Sequence, residues 1–171
     1  MTYLLTFGCY GCWLPGDVRG TVDRKRGQHR GGVLAPSPAL AAHSAHLMNG
    51  PAFRLNHAEA AIVLEVIHEV CAYRGWVLRA SHVRSTHVHL VVTTAAEPKQ
   101  VIADLKAYAS RRLNQTSGVA HRWSRGGNAA RLSSDPAVKA AIDYVTRGQG
   151  TPMAVWAESR DSLEIGGLLS G

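Results

Sequence analysis

Two histidines, one tyrosine and an excess of arginine are the residues of this 171-residue chain most able to do chemistry. His87 and His89 flank Val88 in the segment RSTHVHLVVT, residues 84–93. A strand turns successive side chains to opposite faces, so both imidazoles share one face about 7 Å apart, while Val88, Leu90 and Val92 point the other way into a core. Two imidazoles so placed can hold one metal ion. The same spacing also suits two half-exposed polar side chains on a strand. Tyr144 lies in a late amphipathic segment whose apolar stripe is Val138, Ala141, Ile142 and Val145. At about 100° per residue it falls roughly a third of a turn off that stripe, so its phenol need not be core. A tyrosine packing its ring at the rim and wetting its hydroxyl is the alternative.

The formal net charge is +7, and 15 of the 19 basic residues are arginine. The planar guanidinium matches phosphate oxygens, so this excess points to a polyanion, nucleic acid first, although a merely basic surface would give the same count. Between Val18 and Gly32 the chain carries Arg19, Arg24, Lys25, Arg26 and Arg30 among glycines with almost nothing to bury. That stretch reads as a basic loop, either a solvated insertion or an arm that grips phosphates. The length suits one domain, read as residues 1–150 with a tail at 151–171. No apolar run reaches 18 residues and the first residues lack a basic leader region, so no membrane partner is expected and the compartment is expected to be cytoplasmic. Cys9 and Cys12 form a C-x-x-C without a second pair at zinc-ribbon spacing, and read as buried thiols.

The elements that must position these residues follow from periodicity. Strands are expected at residues 2–8, 76–83, 86–93 and 129–132, the middle two as a hairpin. A short helix is expected over 37–48 and a longer one from Asn56 or His57 to about Tyr73, ended by Gly75. Pro98 starts another to about Leu113, with Val101, Ile102, Leu105, Ala109 and Leu113 buried and Lys99, Lys106 and Arg111 outward. Asp135-Pro136 starts the last, through about Arg147. Helices on one face of a small antiparallel sheet would leave the other face open for a ligand, an α+β arrangement.

Taken together, the strand HVHLVV at 87–92 and the helix AIDYV at 141–145 resemble the single-tyrosine HUH transposases of small insertion sequences, closest to REP-associated tyrosine transposases. The stretches GCWLPGDVRG at 11–20, LKAYASRRLN at 105–114 and WSRGG at 123–127 add to the likeness, which spans roughly residues 1–150. The resemblance implies a ferredoxin-like, HUH endonuclease-type α+β fold. It implies His87 and His89 as ligands of Mg²⁺ or Mn²⁺, and Tyr144 as the nucleophile that forms a 5′-phosphotyrosyl link to single-stranded DNA beside a hairpin. Such proteins act as monomers or homodimers. Relatives commonly place a Gln or Asn ligand one helical turn after the tyrosine; here that position is Gly148, and Gln149 follows as the substitute.

The DNA contacts expected are Arg19, Arg24, Lys25, Arg26, Arg30, Lys106 and Arg111, with Trp123 or Trp13 either stacking on an unpaired base or, the commoner fate of a tryptophan, buried in the core. Tyr108 is the rival nucleophile, but it shares its helix with the core-facing Leu105 and Ala109 and is read as packing. Two other functions stay open. One is a cleavage-inactive DNA-binding protein of the same fold recognising palindromic repeats, which the glycine at 148 makes thinkable. The other is a histidine-triad-like phosphate hydrolase or transferase, whose third histidine would fall at Val91.

Overall fold

Short-range hydrogen bonds fix the ends of the helices much as the sequence predicts. In the computed structural model, which describes residues 1–18, 21–22, 33–119 and 121–158, the chain runs β1 (Thr2–Gly8), β2 (Thr21–Val22), β3 (Val33–Leu34), α1 (Pro38–His46), α2 (His57–Arg74), β4 (Val77–Val83), β5 (His87–Thr93), α3 (Pro98–Leu113), β6 (Asn128–Leu132), α4 (Asp135–Arg147) and β7 (Ala154–Ala157). Asn56 and Glu59 form a reciprocal capping box at the start of α2, each backbone N–H donating to the other's side chain at 2.9 Å. Gly75 ends that helix with φ +68°, a left-handed conformation that glycine adopts without strain. Ser37 and Ser134 cap α1 and α4, each followed closely by a proline.

The main sheet is antiparallel throughout, in the order β6-β1-β5-β4-β7. One face carries Leu5, Phe7, Val88, Leu90 and Val92 and packs against α2 and α3, whose Val63, Ile67, Val101, Leu105 and Leu113 complete the larger core. The α+β class and the antiparallel sheet are as the sequence predicts. The expectation that the second face stays open is corrected: α4 lies on it, and Ala141, Ile142 and Val145 close over Ala80 and Val91. The apolar stripe of α4 requires this, since those side chains must bury against something and the first face is already filled.

Two further features escape the sequence reading. The segment taken as a tail supplies β7, which pairs with β4 at the sheet edge. The basic stretch is bracketed by β2 and β3, which pair with each other as a two-stranded ribbon. No helix among the described residues is long and apolar enough to cross a membrane.

Register decides what surrounds the histidines. His89 stands opposite Thr6 on β1 and His82 on β4, while His87 stands opposite Gly8. Directly opposed residues point to the same side, so Thr6, His89 and His82 form one row across the α4 face. The ladder continues one pair beyond β4, where the Arg84 N–H donates to the His87 carbonyl at 2.9 Å. Arg84 is therefore the cross-strand neighbour of His87, across the turn residues Ser85 and Thr86.

Candidate functional site

The two imidazoles meet edge to face, with ring centroids 4.7 Å apart and planes at 83°. The Tyr144 ring approaches His89 on the same face, at 5.7 Å and 76°. His89 is buried and His87 half-exposed, whereas Tyr144 is 48% exposed. Each histidine is held through Nδ1 by a threonine hydroxyl at 2.8 Å, His89 by Thr6 and His87 by Thr86. Burial, then the neighbouring His87, His82 and Arg84, push the His89 pKa down to about 4, against a hydrogen bond to the Gln149 side chain that raises it. The ring is consequently neutral near pH 7, the form in which a histidine can donate a lone pair to a metal.

Gln149 is buried, although it lies just past α4. Gly148 is the helix C-cap, and its N–H donates to the Tyr144 carbonyl at 2.9 Å. A Cβ at 148 would sit 2.8 Å from that carbonyl oxygen and 3.1 Å from Cδ2 of the tyrosine ring. The glycine thus leaves the Tyr144 ring undisturbed, and the chain turns so that the next residue brings its amide to His89. His82 anchors the same helix from below: its Nδ1–H donates to the Val145 carbonyl at 3.0 Å, while Nε2 is buried without a hydrogen-bond partner. Burial lowers its pKa, with Arg84 adding to the effect and the Val145 bond opposing it.

Among the described residues, the fold brings together His87, His89, Tyr144 and Gln149. Lys106 donates to the carbonyls of Ser124, at 2.8 Å, and Gly126. It therefore holds the loop whose Ser124 N–H bonds Gly8, the residue opposite His87. Arg111 lies over the Tyr108 ring at 5.0 Å on α3, across the sheet from the histidines. Trp123 is half-buried and packs against the larger core. Its ring meets Phe7 at 5.3 Å and 78°, and its indole N–H donates to Ser110 at 3.0 Å. Tryptophan buries more apolar area than any other side chain, and here the α3 core claims it. Trp13 is 45% exposed. Arg19, Arg24, Lys25, Arg26 and Arg30 lie outside the described residues.

Tyr108 packs at the rim of the α2/α3 core, and Val91 is wholly buried under α4. Cys9 and Cys12 are buried and form no disulfide; burial first, then Cys12, pushes the Cys9 pKa up to about 12. Sequence reasoning missed Thr6, Thr86, His82 and Arg84. The hairpin predicted over 76–93 held the signal for two of them, because a two-residue turn at 85–86 pairs His82 with His89 and Arg84 with His87.

One strand thus bears two like-oriented histidines, with a helix-borne tyrosine and an amide beside them. The chain belongs to the family of IS200-like transposases, whose model matches residues 40–147 and so includes both histidines and Tyr144. Among solved structures it is similar to a REP-associated tyrosine transposase bound to a REP hairpin, with a TM-score of 0.47 at 11% identity. The likeness covers 84% of this chain and 63% of that one. No curated protein matches the sequence.

Proposed function

We propose that this chain is a metal-dependent single-strand DNA endonuclease and strand transferase that works through a 5′-phosphotyrosyl intermediate on hairpin-flanked DNA. The observation that carries this reading is the edge-to-face approach of Tyr144 to His89 on the face that also holds His87 and Gln149. Nucleophile and metal donors come from elements distant in sequence, and packing of α4 on the second sheet face unites them.

The donor set fits a divalent ion. Both histidines have Nδ1 engaged by threonine, which leaves Nε2 as the coordinating atom, and ligating histidines ordinarily have such a partner on the other nitrogen. Gln149 would supply an amide oxygen, so two imidazoles and one amide would hold Mg²⁺ or Mn²⁺. When bound, the ion would supply Lewis-acid polarisation of the scissile phosphate.

The remaining chemistry belongs to the chain. The Tyr144 hydroxyl oxygen attacks phosphorus, the bond from phosphorus to the 3′ oxygen breaks, and a free 3′-hydroxyl leaves. The phosphotyrosyl ester conserves the phosphodiester energy, so a 3′-hydroxyl attacks it in turn and strands rejoin without ATP. His82 and the Gly148 turn hold the tyrosine over the donors.

Mixing the protein with labelled hairpin DNA and Mn²⁺ should give an adduct that survives denaturation. Tyr144→Phe should abolish it and keep binding, and His87→Ala combined with His89→Ala should abolish it too. Tyr108→Phe should leave it in place. An adduct that persists in Tyr144→Phe refutes the nucleophile assignment. Hairpin binding with no adduct would establish the cleavage-inactive alternative.

A further inference from the structure

Arg84 is a half-buried cation set against the donor cluster, with no ion pair among the described residues. Four other arginines are ion-paired: Arg74 to Asp104 and Arg79 to Glu158 at 3.0 Å, Arg112 to Glu69 at 2.6 Å, Arg147 to Asp143 at 3.7 Å. Arg122 binds side-chain and carbonyl oxygens of its own loop. Arg84 makes no side-chain hydrogen bond or ion pair among the described residues. Its backbone is locked opposite His87 by the ladder bond, which places it on the histidine face. Its terminal nitrogens would lie 3.6 and 3.8 Å from a Cβ built on Gly150, so the guanidinium rests over the backbone just past Gln149.

This is a costly arrangement without a ligand. An arginine cannot shed its charge, and partial burial without a partner is unfavourable. A divalent ion on the neighbouring histidines would add like-charge repulsion. Among the described residues no group of three or more His, Cys, Asp or Glu side chains is gathered for a metal, and Asp143, beside Tyr144, is engaged by Arg147 on the exposed side of α4. An anion lying between guanidinium and metal would satisfy both, and the planar fork of arginine suits two oxygens of one phosphate.

We propose that Arg84 seats the scissile phosphodiester of the DNA, donating to its non-bridging oxygens from the turn side while Tyr144 attacks from the helix side. This rests on the phosphotyrosyl reading above. Arg84 makes and breaks no covalent bond; it orients the phosphate and neutralises the charge that grows on its oxygens.

The test uses the whole chain and a hairpin oligonucleotide selected for binding from a pool with randomised single-stranded flanks. One phosphate at a time is replaced by an uncharged methylphosphonate, and affinity and adduct formation are measured for wild type, Arg84→Gln and Arg84→Lys, with Mn²⁺ binding followed separately by electron paramagnetic resonance. At the cleaved phosphate, the replacement should weaken wild-type binding about tenfold and leave Arg84→Gln binding unchanged, because the partner of that charge is already gone. Arg84→Gln should form adduct on the order of 100-fold more slowly with Mn²⁺ affinity retained. Arg84→Lys, which keeps the charge and loses the fork, should fall between. Equal penalties in wild type and Arg84→Gln at every position overturn the proposal, as does coupling to a phosphate other than the one cleaved. Loss of Mn²⁺ binding in both variants also overturns it, by making the residue structural. If wild type forms no adduct yet one phosphate couples to Arg84 in binding, the phosphate seat stands and the phosphotyrosyl reading falls. A pool that yields no binder overturns both.

Discussion

Replacing Thr6 by valine removes one oxygen and keeps the branched shape of a strand residue. Thr6 opposes His89 in the β1/β5 ladder, and its hydroxyl meets Nδ1 at 2.8 Å in a site where His89 is only 7% exposed. A coordinating Nε2 requires Nδ1 to carry the proton, so Thr6→Val strands a buried N–H where water has little access. Leaving a buried donor unsatisfied costs about 1–3 kcal/mol. Removing such an outer partner of a ligating histidine typically weakens metal binding by about 10–100-fold. Thr86→Val should do less, about threefold, because His87 is half-exposed and water can take the hydroxyl's place. Mn²⁺ affinity would be measured by electron paramagnetic resonance, alongside urea unfolding of the metal-free proteins. Thr6→Ser, which restores the hydroxyl, should bind within about threefold of wild type by the same reasoning. If Thr6→Val binds Mn²⁺ as tightly as wild type, or if Thr86→Val is the more damaging change, the hydroxyl does not set the histidine and the argument from register fails.

Three further outcomes follow from other parts of the molecule. Trp123→Ala should cost about 3 kcal/mol in urea unfolding, because it empties the contact with Phe7 and removes the bond to Ser110; unchanged stability with lost DNA affinity would favour the stacking role. Neutralising Arg24, Lys25 and Arg26 together should flatten the salt dependence of single-stranded DNA affinity by about two units, at roughly 0.7 per phosphate contact, and an unchanged slope would mark the loop as a solvated insertion. Metal-free protein should lose about 3 kcal/mol as pH falls from about 6.5 to about 4, since His89 resists protonation when folded and takes it up freely when unfolded. That contribution is fully present above the unfolded pKa, and a His89→Gln variant with the same acid dependence would refute its assignment to this residue.

The sequence by itself determined most elements, because the forces that start and stop them act over a few residues. The capping box of Asn56 and Glu59, the left-handed Gly75 and the prolines of α1, α3 and α4 are visible in any local window, as is the alternation that turns Val88, Leu90 and Val92 away from the histidines. His87, His89 and Tyr144 could be named for the same reason: each stands out by its offset from an apolar pattern. Gln149 came only from the family likeness, and its burial against His89 depends on where α4 ends.

Only the tertiary structure decided what those side chains meet. Strand order and register are long-range choices, set by which surfaces bury together rather than by any short window. They placed Thr6, 83 residues away, against His89, and they set Arg84 beside His87. Packing also gave Trp123 and Lys106 partners that the sequence did not show, Ser110 on α3 for the one and the loop carbonyls for the other. The face expected to be open is partly roofed by α4, because one helix more than the first face could accommodate still had an apolar stripe to bury. That roof brings the tyrosine to the histidines, so the site exists through a packing requirement that the sequence states and only the folded chain resolves.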